Sequence, residues 1–393
     1  MLMINKVQKQ VCVIGLGYIG LPTACVLATS GYNVHGVDTN YELVSQLQSA
    51  SFTTTEPKLQ ELFLKVVNNN HLTVSTRIAQ ADIYIIAVPT PLSLDNKPDL
   101  SYIDEVVAAL KRYLRDGNII IIESTCPIGT TDAIAHNLQS SCQGIYVACC
   151  PERAIPGNIL HELVYNDRII GGVDEVSTSH AVAFYKSFIK GEVLATKAVT
   201  AKAVKLTENT FRDVNIAFAN ELSMIADDTD LDVNEIIRLA NRHPRVQVLD
   251  PGPGVGGHCL AIDPWFLVAA SPNFATIISK ARDVNIRKTD WVIQKIRDVI
   301  KLSNVKVVAC FGLTYKPNVK DIRNSSAQAV AKALSNEISI ICIDPYIPNT
   351  SSISYALANA EMIIGLVAHD EFKNISSDEL SGKVLLDFAG AFK

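Results

Sequence analysis

Two kinds of apolar periodicity divide this chain. In its first part, short runs that are apolar at nearly every position recur between helical stretches: Val11–Ile14, Val34–Val37, Ile83–Val88, Ile119–Glu123 and Ile145–Ala148. Strands that are apolar throughout, rather than at alternate positions, suit a parallel sheet covered on both faces. Helices are expected at Ser101–Tyr113 and Thr130–Leu138, so the order is β, α, β, repeated. That order returns near the C-terminus, with strands at Lys306–Phe311, Ile338–Ile343, Met362–Leu366 and Val384–Leu386 and a helix at Ala327–Leu334.

Between these ends the period becomes helical. Residues 198–227 hold a helical pattern with no internal proline or glycine, 232–239 read as a shorter helix, and 275–300 as a long one fit to be a spine. The expected fold class is α/β: two Rossmann-like parallel-sheet domains joined by a central helical region with a long spine helix. The boundaries expected are 1–197, 198–300 and 301–393.

Composition removes several function classes. At 393 residues the chain is too long for one core. A net charge of −5 gives no basic excess for nucleic acid, and no apolar run is long enough for a membrane span. The start leads into a strand rather than reading as a signal peptide. Nine cysteines, without CxxC and most of them in apolar runs, fit a reducing cytoplasm. The eight histidines are scattered without HExxH or a His/Cys cluster, so no metal is expected.

The first strand runs into Gly15-Leu16-Gly17-Tyr18-Ile19-Gly20 and then a helix. Gly15 suits a tight turn, Gly17 close approach of a pyrophosphate, and Gly20 close packing of helix on strand; the phosphates would rest on the helix N-terminus. Asp38 closes the second strand, where a carboxylate takes both ribose hydroxyls and repels a 2′-phosphate, so NAD is expected over NADP. Ligands in such sheets lie beyond the carboxyl ends of strands, which here offer Pro89, Thr90, Thr125 and Glu152. Thr125 could instead satisfy local backbone, and Glu152 could simply pair with Arg153.

Residues 251–266, PGPGVGGHCLAIDPWF, place Cys259 behind a collar of glycine and proline that suits neither helix nor strand. Asp263 and Pro264 read as the cap and first position of a helix, so the thiol approaches a helix N-terminus, where a thiolate is favoured. Cys259 is therefore a candidate covalent nucleophile; its alternative is the inert buried thiol expected of the others. Lys205, Asn209 and Arg212 share one helical face, which could equally be a solvated surface. Lys316, Lys320 and Arg323 could surround an anion. A thiol beside a nicotinamide fold has a task if an aldehyde must be oxidised further, through a thiohemiacetal and a thioester, with Lys205 and Asn209 stabilising the oxyanion. A one-step dehydrogenase would leave Cys259 idle.

These stretches, with ESTCPIGTT, KLTENTFRDVNIAFANE and FGLTYKPNVKDIRNSS, resemble the UDP-glucose/GDP-mannose dehydrogenase family over nearly the whole chain. CCPERAIPGNI, NRHPRV and GGHCLAIDPWF are most similar to its branch acting on UDP-N-acetylmannosamine; UDP-N-acetylglucosamine and UDP-glucose are the alternative substrates. The resemblance implies an N-terminal NAD domain, a central dimerisation region and a C-terminal UDP-sugar domain. It further implies Cys259 as nucleophile and Lys205 as electrostatic and acid–base partner. Asn209 would hold the oxyanion or a water, Glu152 and Asp263 would manage protons, and Thr125 would stand near the reacting end. On the cofactor side it implies Gly15, Gly17, Tyr18, Ile19, Gly20, Asp38, Pro89, Thr90, Thr125 and Arg323. Arg323 also falls, with Lys320, on the phosphate and interface side of the UDP domain. For the nucleotide sugar it implies Arg153, Lys205, Asn209, Arg212, Arg242, His243, Gly256, Tyr315, Lys316 and Lys320, with Arg245 able to reach a partner subunit's substrate. Arg153 stands where the glucose branch typically has phenylalanine and could donate to an N-acetyl carbonyl. Ala389 stands where relatives commonly carry arginine.

Overall fold

The computed structural model describes residues 9–54, 56, 58–155 and 157–392, so most of the segment ahead of the first strand lies outside the described residues. The chain divides into two compact units, Met1–Thr207 with Trp265–Ala270, and Glu208–Pro264 with Ser271–Lys393. The helix Ala198–Asp228 runs through that division.

The first unit is built on an eight-stranded sheet: β1 (Gln10–Ile14), β2 (Asn33–Val37), β3 (Leu72–Ser75), β4 (Ile83–Ile86), β5 (Ile119–Ile122), β6 (Tyr146–Cys149), β7 (Arg168–Gly172) and β8 (Val193–Lys197). Their order is β3-β2-β1-β4-β5-β6-β7-β8, parallel except where β7 runs against β6. The uninterrupted apolar runs have a direct cause. Val11, Val13, Ile83, Ile85, Ile119 and Ile121 enter one buried cluster, while Cys12, Ile14, Tyr84, Ile86, Ile120 and Ile122 enter another. Both faces of each strand are covered, so neither can be polar. Strand order reverses between β1 and β4, and the glycine turn sits at that switch.

Several elements of this unit went unforeseen, among them β3, β7, β8 and the helix Glu175–Lys186. The reason is compositional: β7 is RIIGG, with a charge at one end and two glycines at the other, and β8 is an edge strand with Leu194, Ala195 and Lys197 exposed.

The second unit carries a four-stranded parallel sheet of β9 (Val307–Phe311), β10 (Ser339–Ile343), β11 (Met362–Gly365) and β12 (Val384–Asp387), in the order β10-β9-β11-β12. The long helix Thr276–Ser303 lays Val292 and Ile296 into the core with Val308, Cys310 and Val330. The two sheets share a device at the end of their second strand. Asp38 accepts from the amide of Leu16 at 2.8 Å, and Asp344 accepts from the amides of Leu313 and Thr314 at 2.7 and 3.0 Å. Each carboxylate clamps the turn leaving the neighbouring strand. Among the described residues no helix is long and apolar enough to cross a membrane, and no group of three or more His, Cys, Asp or Glu is placed to hold a metal.

Candidate active site

In the first unit the glycine turn has the shape a dinucleotide needs. Gly15 has φ +93°, and a Cβ there would stand 2.6 Å from the carbonyl oxygen of Ala87. A Cβ on Gly20 would stand only 1.7 Å from the carbonyl oxygen of Gly15, so the helix Gly20–Thr29 can approach β1 only through glycine. Gly17 differs: it is exposed, and nothing lies within 4 Å of where its Cβ would be. That space fits a pyrophosphate against the helix N-terminus. Tyr18 and Ile19 pack against Ile159 and Leu163, and the Tyr18 hydroxyl donates to Glu56 at 2.8 Å. What this turn can present to a ligand is thus mainly backbone. Asp38, half-buried, also accepts from Asn40 N at 2.9 Å.

The ends of β4 and β5 are laced together. Thr90 Oγ1 donates to Thr125 O at 2.5 Å, and Ser124 Oγ to Val88 O at 2.7 Å. Lys202, 1% exposed, donates from Nζ to Ser124 O at 2.6 Å and Ile122 O at 3.3 Å. Thr125, next to Pro89-Thr90, is half-buried at this rim. Lys202 escaped the sequence reading because a lysine in an amphipathic helix looks like solvated surface. The buried Lys205 follows it by three residues.

Glu152 does not pair with Arg153 as the alternative reading had it. Its Oε2 accepts from Arg168 Nη1 at 2.7 Å, with side-chain exposures of 8% and 3%, and its Oε1 accepts from the backbone amides of Arg153 and Ala154, both at 2.6 Å. Arg153 Nη1 donates to Asp167 O at 3.2 Å. Arg168 was invisible because β7 was. Beside this pair lies a second buried carboxyl: Glu123 accepts from Tyr185 Oη at 2.7 Å and Thr23 Oγ1 at 3.3 Å. Burial, and next the charge of Glu152, push Glu123 up to about 7.

In the second unit the Cys259 loop is held from three sides. The carbonyl of Cys259 accepts from Ile262 N at 3.0 Å and Asp263 N at 2.8 Å, closing the turn into the helix Asp263–Ala270. Asp263 thus opens this helix as its first residue rather than preceding it, a one-residue difference. Asn209 Nδ2 donates to Asp263 Oδ2 at 2.5 Å, with both side chains buried. Gly257, at φ +83°, lies flat on Tyr315, whose ring a Cβ would meet at 2.8 Å; a Cβ on Gly256 would stand 2.5 Å from Asn324 O. The amide of Gly257 donates to Arg323 O at 2.9 Å. From the helices, Asn220 Oδ1 accepts from Gly252 N at 2.9 Å, Thr289 Oγ1 donates to Pro253 O at 2.8 Å, and Arg282 Nη1 reaches Leu260 O at 3.5 Å. Cys259 remains half-buried in this collar, unlike the fully buried Cys12, Cys25, Cys126, Cys149, Cys150 and Cys310. Tyr315 is raised to about 12 by burial, then by Asp321 and Cys259.

The remaining cations of this unit differ in their setting. Arg212 and Lys320 are exposed. Lys316 Nζ lies 5.8 Å from the Tyr315 ring centre. Arg323 forks onto its near neighbour Asp321, Nε to Oδ1 at 3.0 Å and Nη2 to Oδ2 at 2.6 Å. Arg242, His243 and Arg245 stand exposed on a loop pinned at its base by Asn241, whose amide bonds both ways to Val248 at 2.9 and 2.7 Å.

The chain matches three models of the UDP-glucose/GDP-mannose dehydrogenase family: the NAD binding domain over 9–189, the central domain over 199–287 and the UDP binding domain over 309–393. It is 47% identical over 98% of its length to the UDP-N-acetyl-D-mannosamine dehydrogenase of Methanocaldococcus jannaschii, covering 92% of that protein. To the enzyme of the same name from Campylobacter jejuni it is 44% identical, covering 96% of this chain and 99% of the other. The structure of a UDP-D-ManNAc dehydrogenase from Pyrococcus horikoshii superposes with a TM-score of 0.91 at 37% identity, over 98% of this chain and 96% of that one.

Proposed function

The chain belongs to the UDP-glucose/GDP-mannose dehydrogenase family, carrying its NAD-binding, central and UDP-binding domains in order, and from that premise we propose that it oxidises UDP-N-acetyl-D-mannosamine at C6 to the uronate. The balanced reaction takes alcohol, water and two NAD+ to carboxylate, two NADH and three protons. NAD, which Gly15, Gly17, Gly20 and Asp38 are shaped to hold, accepts the electrons of both oxidations.

The chain's own residues supply the rest. The Cys259 thiolate adds to the aldehyde carbon, giving a thiohemiacetal; oxidation of that adduct gives a thioester, and water expels the thiolate. Lys205 and Asn209 stabilise the oxyanion of each tetrahedral species. Asp263 fixes the amide of Asn209, and Glu152 positions and deprotonates the attacking water, with Thr125 near the reacting end. The observation that carries this reading is the Cys259 loop: a half-buried thiol at the entry to the helix Asp263–Ala270, with Asn209 bonded at 2.5 Å to the first carboxylate of that helix.

The choice of sugar rests on the names of the relatives and on Arg153, whose guanidinium suits an N-acetyl carbonyl. Arg212, Tyr315, Lys316 and Lys320 face the nucleotide-sugar phosphates in this reading. A homodimer is proposed from the helix Ala198–Asp228, where Phe211, Phe218 and Ile225, seven residues apart, are 67%, 55% and 52% exposed. In that dimer Arg245, with Arg242 and His243, would reach the partner's substrate. A cytoplasmic setting is proposed from the nine free thiols. Turnover of UDP-N-acetylmannosamine, UDP-N-acetylglucosamine and UDP-glucose tests the sugar: preference for the first is expected, and preference for UDP-glucose contradicts it.

A further inference from the structure

The turn that follows β9 carries Tyr315 and Lys316, and both of its feet stand on one imidazole. His369, fully buried after β11, meets Thr314 Oγ1 with Nε2 at 3.1 Å and accepts from the amide of Asn318 with Nδ1 at 3.0 Å. A backbone amide can only donate, which assigns the proton of the neutral ring to Nε2. That nitrogen also lies 3.1 Å from Asp344 Oδ2. Thr314 Oγ1 in turn donates to Lys316 O at 3.0 Å, inside the turn. The ring is set in place by Tyr346, stacked at 5.0 Å between centres, and by Phe372, nearly perpendicular at 5.3 Å.

The two feet differ in what else holds them. Thr314 keeps the bond from its amide to Asp344 whatever stands at 369. Asn318 has φ +59°, a left-handed conformation, and its amide rests on the ring nitrogen. Its side chain bonds both ways to Asp370, at 2.7 and 3.1 Å, which brings that amide up to the ring. We propose that His369 is a positioning residue for the nucleotide sugar: its Nδ1 fixes the Asn318 end of the turn and so holds Tyr315 and Lys316 where the phosphates bind. This rests on the proposed placement of Tyr315 and Lys316 at those phosphates. The imidazole acts through the turn, so binding rather than chemistry depends on it.

Two substitutions separate the ring nitrogens. His369→Asn puts an amide oxygen near the place of Nδ1 and keeps the acceptor. His369→Gln puts an amide nitrogen near the place of Nε2 and keeps the donor, leaving the Asn318 amide unmet. The test is the Kd of UDP, by calorimetry on the full-length protein, together with KM for UDP-N-acetylmannosamine and for NAD. His369→Gln should weaken UDP and raise the sugar KM about tenfold, with kcat and the NAD KM within about twofold of the wild type. His369→Asn should bind UDP within about threefold of the wild type. Both variants remove part of the same ring from the core, so a merely structural role would affect them alike. Equal Kd values for the two, whether weakened or as in the wild type, overturn the proposal. Should His369→Gln fail to fold, hydrogen exchange decides: the Asn318 amide of the wild type should be protected, and exchange at the rate of an unbonded amide overturns the proposal. If the wild type binds UDP without oxidising UDP-N-acetylmannosamine, the proposed reaction falls, and the UDP comparison still decides the role of His369.

Discussion

Arg282 and Asp213 meet at 2.6 Å with side-chain exposures of 5% and 0%, joining the helix Thr276–Ser303 to the helix Ala198–Asp228 within the second unit. Asn285 donates to the same carboxylate at 2.8 Å and accepts from Asn220 at 2.9 Å, and Asn220 in turn holds the amide of Gly252. Arg282 also reaches the carbonyl of Leu260. One buried polar chain thus grips the Cys259 loop on both sides of the thiol.

Breaking that chain should cost both stability and turnover. Asp213→Leu leaves the Arg282 guanidinium buried without its carboxylate, and such losses run to about 3–5 kcal/mol. Urea unfolding should show a drop of that order, with kcat reduced in whatever enzyme stays folded. A change within about 0.5 kcal/mol would mean that the pair holds nothing.

Gly257→Ala should damage the loop locally. The residue sits at φ +83°, and its new methyl would meet the Tyr315 ring at 2.8 Å. The backbone conformation alone costs about 1–3 kcal/mol for a non-glycine residue. We expect kcat/KM for the nucleotide sugar to fall at least tenfold or so, while NAD affinity measured by calorimetry stays unchanged.

The two glycines of the nucleotide turn should respond oppositely. The methyl of Gly17→Ala meets no protein atom within 4 Å, so thermal stability should barely move while NAD affinity drops about tenfold or more. Gly20→Ala drives a methyl into the carbonyl of Gly15, and the protein itself should be destabilised. Thermal unfolding with and without NAD distinguishes the two outcomes.

Glu123 makes stability depend on pH. Its folded value, about 7, lies above the ordinary 4.5, so the folded chain binds more protons than the unfolded one in between. The sign follows: this stabilisation is full below about 4.5 and is lost as pH rises through about 7. The loss is on the order of 3 kcal/mol for so fully buried a carboxyl. Denaturation of Glu123→Gln between pH 5 and about 8 should show a flatter dependence than the wild type, and equal slopes would contradict the assignment.

Much of this was legible in the residues because its cause is local. Strands apolar at every position announced a sheet buried on both faces, and Gly15, Gly17, Gly20 and Asp38 carry their geometry in their spacing. What stayed hidden depends on pairings distant in sequence. Arg168 could not be matched to Glu152 without knowing that β7 exists and runs against β6. Lys202, Asp213 and Arg282 look like ordinary charges on amphipathic helices until packing buries them. The fork of Arg323 onto Asp321, two residues away, was likewise not legible in the spacing of the charges.

The central claim is that one thiol holds a carbon between two successive oxidations. Counting NADH formed per UDP-N-acetylmannosamine consumed by the purified enzyme addresses it most directly. Two NADH per sugar, with the uronate as product, is the result predicted; one NADH per sugar, with aldehyde released, would contradict it.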